Sequence, residues 1–285
     1  MLPLRLSTVI TEMNIHQIVN SVFTSNAYIL SVEGKDWHVL IDIFMALVCA
    51  VAVGEFVHAT GLLKKYLISI PSIAFAFCNA MLFSYGYQSI IWYVYTAIML
   101  SAMIFFHEKL SFREVSDTYG MTIIISYGLA TVISMKNLDV AHSSFYFILA
   151  LALPWLADGG AYFAGSFFGK HKLCPKISPK KTVEGVIGGV IGCVGFCCLM
   201  GYIFSTFIYK DIQSINYVNL IILSFVGSLL SVLGDLSFSL VKRTYGIKDY
   251  GNLIPGHGGV LDRFDSVVFV SPFLLISLTY LPVLA

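Results

Sequence analysis

Apolar stretches of about 20 residues recur along this chain, and that is the length a helix needs to cross the hydrocarbon core of a bilayer. Eight are clear: 38–57, 66–84, 89–106, 119–135, 144–168, 184–208, 217–241 and 266–284. With 58% of 285 residues hydrophobic, an ordinary soluble domain is excluded. A membrane β-barrel is excluded too, because its segments are short and alternate apolar with polar residues. The expected fold class is therefore all-α, a polytopic integral membrane helix bundle of eight transmembrane helices with a candidate ninth at the N-terminus. That ninth would draw on Ile15–Val32, where Asn and Ser interrupt the apolar run. A re-entrant or interfacial segment is the alternative there, and no convincing cleavable signal peptide is present.

No repeat, low-complexity tract or polar linker divides the chain. It reads as a single membrane domain, 1–285, with 1–143 as scaffold helices and 144–285 carrying the chemistry. Basic residues assign the sidedness. Counting spans alternately, Lys64, Lys65, Lys109, Arg113, Lys170, Lys172, Lys176, Lys180, Lys181, Lys242, Arg243, Lys248 and Arg263 share one side; only Arg5, Lys35, Lys136 and Lys210 remain. This places the 170–181 and 242–265 loops together in the cytoplasm. The net charge of +1 and the lack of a basic arm give nucleic-acid binding no support. The six cysteines show neither CxxC nor Cys/His metal spacing, and five lie in apolar stretches, as helix-packing residues do.

Against this apolar background the charges that remain are informative. Glu55, Asp158, Glu184 and Asp235 lie within or at the edge of apolar stretches, and Asp42 lies nearer the far side. A carboxylate at a helix centre in a membrane costs on the order of 2.5–3.5 kcal/mol, so such residues face a polar cavity or a partner. Asp235, Ser239 and Lys242 are spaced by four and three, on one helical face, with Arg243 beside them. They can hold a metal ion and a phosphate together, or form an intrahelical ion pair with a snorkelling lysine.

The loop that follows strengthens the first reading. Lys248-Asp249 leads to Pro255-Gly256-His257-Gly258-Gly259, a tight turn whose glycines let backbone N–H groups approach an anion. Asp262 and Asp265 then open the next helix, with Arg263 between them. Carboxylate oxygens suit Mg²⁺, and Lys242, Arg243, Lys248 and Arg263 suit phosphate oxygens. His257, set among glycines, can contact a phosphate or base, or cap the turn.

A second constellation lies upstream. Asp158 and Tyr162 are four apart; Gly165, Gly169 and Lys170 follow, then Ser178-Pro179-Lys180-Lys181-Thr182-Val183-Glu184. Ser178-Pro179 reads as N-cap and first helical position, which would aim free N–H groups beside two lysines. The alternative is a basic loop followed by a helix packed through glycines.

The run Ser239-x-x-Lys242-Arg243-x4-Lys248-Asp249-x5-Pro255-Gly-His257-Gly258-Gly259-x-x-Asp262-Arg263-x-Asp265, with Gly234-Asp235 before it, resembles the signature of the phosphatidate cytidylyltransferase family, the CDP-diacylglycerol synthases. Asp158, Tyr162, Gly165 and the 177–185 stretch resemble its upstream motif; together the motifs cover about 110 residues. Two positions depart from the family pattern. Phe238 stands where a Glu is usual, and Ser166 where an Arg is usual.

The resemblance implies transfer of a cytidylyl group from CTP to phosphatidate, with pyrophosphate released, in phospholipid biosynthesis. It implies a multi-pass protein of the bacterial inner membrane whose site faces the cytoplasm, with membrane lipids as partners and a homodimer as the candidate assembly. Mg²⁺ would be held by Asp235, Asp262, Asp249 and Asp265, with a monovalent ion such as K⁺ nearby. Lys242, Arg243, Lys248, Arg263 and His257 would complete the catalytic set. Asp158, Tyr162, Ser178, Lys180, Lys181, Thr182, Glu184, Ser239, Gly258 and Gly259 would form the nucleotide or phosphatidate pocket. The rival readings are a CTP-dependent enzyme acting on another lipid (a CDP-archaeol synthase or a polyprenol kinase) and a membrane transporter.

Overall fold

The computed structural model describes residues 35–139, 142–209, 215–253, 255–256 and 258–284, with 35–38 by their backbone alone. Residues 42–285 group as one compact unit. Met1–Ile41 group separately and enter the described structure only as the first turns of α1. The Ile15–Val32 segment lies outside the described residues.

Among the described residues there are eight long helices: α1 (Lys35–Ala59), α2 (Tyr66–Leu82), α3 (Gln88–Phe105), α4 (Phe112–Met135), α5 (Ser143–Phe168), α6 (Val183–Ile203), α7 (Tyr217–Thr244) and α8 (Leu261–Tyr280). Seven of them, α1 to α7, are long and apolar enough to cross a membrane. The eighth, α8, carries Asp262, Arg263 and Asp265 in its first turns. The protein is thus the all-α polytopic membrane protein its hydropathy predicts.

Three local details differ from expectation. Helix α4 begins at Phe112 rather than 119, because Ser111 and Glu114 form a capping box: Glu114 N donates to Ser111 Oγ at 3.3 Å and Ser111 N to Glu114 Oε2 at 2.9 Å. The charges of this first turn conceal it from hydropathy. Helix α8 begins at Leu261 and ends at Tyr280 rather than running over 266–284. Beyond it the chain is extended beside the start of α7, where Asn216 N donates to Val283 O at 2.8 Å and Ile215 bridges Leu284. Finally, Ser178-Pro179 does not open a helix. It begins the strand β2 (Ser178–Thr182), which pairs antiparallel with β1 (Lys172–Cys174). A proline lacks the N–H a ladder needs, but a two-stranded ribbon has an open edge where that loss is harmless. The N-cap of α6 is instead Thr182, whose Oγ1 accepts from Gly185 N at 3.1 Å.

Helix α8 packs against α4, α5 and α7, and α5 lies along α6. Small residues make the α5–α6 contact close: a Cβ on Gly188 would lie 2.1 Å from Ala164 Cβ, and one on Gly189 2.7 Å from Ala157 O. Alternate connections gather at one end of the bundle. Lys65 Nζ reaches Lys109 O at 3.1 Å and Glu114, Tyr245 Oη donates to Asp117 at 2.6 Å, and Arg243 Nε donates to Ile177 O at 3.3 Å. The β1–β2 hairpin and the 245–260 loop therefore share that end.

Candidate functional site

Helix α7 brings Asp235, Ser239 and Lys242 down one side, as their spacing predicts. Gly234 lets α8 come close: a Cβ there would lie 3.1 Å from Phe269 Cβ and 3.2 Å from Asp265 O. Lys242 is buried between the helices. Its Nζ donates to Asp262 Oδ1 at 2.8 Å, stands 3.9 Å from Asp265 Oδ2, and lies 5.3 Å from the centre of the Tyr250 ring. All three charged side chains are less than 10% exposed. Burial on this scale requires pairing, since an ion left alone inside a protein loses its hydration without return.

Asp158 joins from α5. Its Oδ2 accepts from Ser266 Oγ at 2.7 Å and its Oδ1 from Ser231 Oγ at 3.4 Å. Lys181 joins from β2 and ion-pairs with Asp235. Asp265 Oδ1 accepts from Ser266 N at 2.8 Å. Ser266 Oγ also reaches Asp265 Oδ1 at 3.3 Å, so this serine links Asp158 to Asp265. Four carboxyl groups thus meet two amino groups where α5, α7, α8 and the hairpin converge.

The glycine-rich loop is ordered by carboxylates of the chain itself. Asp262 Oδ2 accepts from Tyr250 N at 2.8 Å and Gly259 N at 3.1 Å. Glu55, from α1, accepts from Val260 N at 3.0 Å and Leu261 N at 2.8 Å. Gly256 and Gly258 take φ of +75° and +84°, where a side chain would be strained. The amides at 259–261 are therefore already occupied. Tyr250 is fully buried and its hydroxyl donates to Phe238 O at 3.0 Å. Burial, then the nearby Asp265 and Asp262, push the Tyr250 phenol well above its ordinary range, so it stays a neutral donor. Phe238 packs edge-on against Tyr250 and Phe269, with ring centres 6.1 and 6.4 Å away.

The remaining sequence candidates take other places. Arg243 ties the hairpin to the end of α7, through Ile177 O and, at 3.1 Å, Ile247 O. Ser239 is buried. Thr182 caps α6. Glu184 accepts from the amides of Lys170 and His171 at 3.1 Å and contacts His171 Nδ1 at 2.5 Å, which closes the base of the hairpin. Tyr162, Lys180, Lys248 and Asp249 are exposed and outside the carboxylate cluster's bonding. Arg263 is exposed, and its carbonyl accepts from Trp155 Nε1 at 2.9 Å. Ser178 is half-buried at the start of β2, and a Cβ on Gly258 would lie 3.3 Å from Asp262 Oδ2. Ser166 is exposed and donates to Tyr162 O at 2.7 Å. His257 lies outside the described residues. Sequence reasoning left Glu55 out of the site and did not single out Ser231, Ser266 or Tyr250. The isolated Glu55 in an apolar span was the signal available.

The donor set suits a hard divalent cation. Mg²⁺ keeps several waters and takes one or two protein carboxylates, and Asp235 and Asp265 are the residues that could supply them. Asp262 differs, because both its oxygens are engaged by N–H donors. Among the described residues, no group of three or more His, Cys, Asp or Glu side chains is gathered as a complete metal cage.

Known proteins are similar to this chain in sequence. The phosphatidate cytidylyltransferase of Bacillus subtilis is 38% identical over 178 residues, covering 62% of this chain and 63% of its own. That of Haemophilus influenzae is 47% identical over 136 residues, 47% of this chain and 46% of its own. That of Staphylococcus saprophyticus is 35% identical over 181 residues, 64% of this chain and 65% of its own. The chain thus matches between about half and two thirds of the length of these relatives. The cytidylyltransferase family as a whole matches residues 16–281, almost the entire sequence, and the chain belongs to that family.

Proposed function

We propose that the protein transfers the cytidylyl group of CTP to phosphatidate, giving CDP-diacylglycerol and pyrophosphate, at the cytoplasmic face of a bacterial inner membrane. The observation that carries this reading is the pairing of Lys181 with Asp235 and of Lys242 with Asp262 and Asp265, beside Asp158, at one end of a membrane bundle. The relatives' names point to the same substrates, and the distribution of Lys and Arg supports the cytoplasmic side.

The chemistry asks little covalent help from the protein. A phosphatidate oxygen attacks the α-phosphorus of CTP, a new P–O bond forms, and the bond to the β-phosphate breaks to release pyrophosphate. The second pKa of a phosphate monoester is about 6, so the nucleophile is largely ionised at neutral pH. What remains is to bring two anions together and hold them in line. Lys181 and Lys242 sit where their ammonium groups can exchange a carboxylate partner for a phosphate oxygen, and Arg243, Lys248 and Arg263 ring the same end of the bundle. Asp235 and Asp265 are the proposed Mg²⁺ ligands, with Asp249 as a further candidate, and the ion when bound would offset charge on the phosphates. Asp262 holds the loop and Lys242, and it is a further candidate ligand. Asp158, fixed by Ser231 and Ser266, keeps the third carboxylate in place behind them.

The test uses CTP labelled at one phosphorus or another, with the purified full chain, phosphatidate and Mg²⁺. Label on the α-phosphate should pass into lipid and label on the γ-phosphate into pyrophosphate. Transfer of γ-label into lipid would instead mark a kinase, and no lipid labelling from either would overturn the reading.

A further inference from the structure

We infer that Glu55 is a positioning residue: helix α1 of the scaffold half holds the start of α8, and so sets where Asp262 and Asp265 stand. Both of its oxygens are spent on consecutive amides, Val260 N at 3.0 Å and Leu261 N at 2.8 Å, across 205 and 206 positions of sequence. The first amides of a helix have no intrahelical partner. Here the N-terminus of α8 is completed by a side chain from a distant helix, because Val260, at the cap position, has no side-chain acceptor of its own.

The loop is shaped around that carboxylate. A Cβ on Gly259 would come within 2.5 Å of Glu55 Oε2, and one on Gly251 within 2.4 Å of Oε1. Glycines at both positions let the backbone close on the carboxylate from two sides. The preceding amide, Gly259 N, turns to Asp262. Three successive N–H groups, 259 to 261, are therefore divided between Asp262 and Glu55. The neighbouring Phe56 adds an apolar clamp, with its ring 6.3 Å from Tyr245 and 6.2 Å from Tyr250. Tyr250 in turn donates its amide to Asp262. Glu55 thus acts on the site through the backbone amides it holds.

The effect on catalysis rests on the function proposed above, whereas the tie between α1 and α8 does not, and the experiment separates the two. Glu55→Gln keeps the shape but replaces one acceptor by a donor that faces an N–H. Glu55→Asp keeps the charge on a shorter arm. Backbone hydrogen exchange of the full chain in detergent or nanodiscs should show residues 250–262 exchanging at least about tenfold faster in Glu55→Gln, with less change in Glu55→Asp and the transmembrane helices unaffected. Unchanged exchange in 250–262 overturns the inference, whatever the enzyme turns over.

Kinetics supply the second readout. A merely unstable variant loses active molecules, which lowers the maximal rate and leaves half-saturation constants alone. A displaced α8 should raise the Mg²⁺ concentration for half-maximal rate, or KM for CTP, by about threefold or more, with Glu55→Asp intermediate. Unaltered half-saturation constants in a folded Glu55→Gln protein would overturn the catalytic part. Gly259→Ala should loosen the loop in the parent, and much less so in a Glu55→Ala background where the colliding carboxylate is gone. Equal effects in both backgrounds would contradict the packing argument.

Discussion

Lys242 and Asp262 meet at 2.8 Å inside the bundle, and this one contact joins the end of α7 to the start of α8. The lysine also stands 3.9 Å from Asp265 Oδ2, and Asp262 also holds Tyr250 N and Gly259 N. The pair is structural and chemical at once. It fixes the loop between the two helices, and under the proposed function its ammonium group is one that would meet a phosphate.

Replacing Lys242 by Met should therefore strip two buried carboxylates of their counter-charge. Removal of one partner from a buried pair typically costs about 3–5 kcal/mol. We expect a marked fall in the thermal unfolding midpoint in detergent together with loss of turnover, and Lys242→Arg should recover stability better than activity. A Lys242→Met protein as stable as the parent would show that the contact does not support the fold.

Lys181 should behave differently. Its pair with Asp235 is about one-fifth exposed on each side, where ion pairs contribute about 1 kcal/mol or less. Lys181→Ala should leave the unfolding midpoint nearly unchanged while the rate of CTP-dependent lipid labelling drops about 10²-fold, the usual scale for one lost charge-stabilising donor. Rate and stability falling together would assign Lys181 to the fold instead.

Phe238 offers a test of how far the family pattern transfers. The family signature that the sequence resembles would put a Glu there, whereas the Phe238 side chain is 1% exposed and packed on Tyr250 and Phe269. Phe238→Glu should destabilise the protein by a few kcal/mol, because it opens a gap in the packing and buries a carboxylate without a prepared partner. Unfolding in detergent measures this, and a stabilised or more active Phe238→Glu protein would contradict it.

Two glycines in different surroundings test the packing of the hairpin's base. A Cβ on Gly188 would collide with Ala164, whereas nothing stands within 4 Å of one on Gly120. Gly188→Ala should push α6 from α5, costing about 1–3 kcal/mol, and disturb Thr182 and Lys181 with it. Gly120→Ala should be neutral or stabilise by about 0.5–1 kcal/mol, the usual helical preference of Ala over Gly. The comparison of unfolding midpoints checks both.

What could be read beforehand follows a physical divide. Hydropathy located the helices because burial in lipid demands apolar residues along the whole span. It missed the first turns of α4 and α8, where Glu114 and Asp262 serve caps and loops at the membrane edge. Helical spacing correctly placed Asp235, Ser239 and Lys242 on one side. It could not foresee that Asp262 would spend its oxygens on Lys242 and two amides, since those contacts depend on how a loop folds back. The Ser178-Pro179 pair was ambiguous for a related reason: the same dipeptide suits a helix start or an open strand edge, and Thr182 decided between them. Glu55 was the largest omission, because no local pattern reveals that a carboxylate will cap a helix some 200 residues away.

The central claim is that the cluster of Asp235 and Asp265 with Lys181 and Lys242 performs cytidylyl transfer. Its most direct measurement is the initial rate of CDP-diacylglycerol formation from CTP and phosphatidate by the purified full chain, with and without Mg²⁺, beside the same assay of Asp235→Asn. The account predicts Mg²⁺-dependent product from the parent chain and a loss of about 10²-fold or more in a variant that remains folded. Near-parental turnover by folded Asp235→Asn would contradict it.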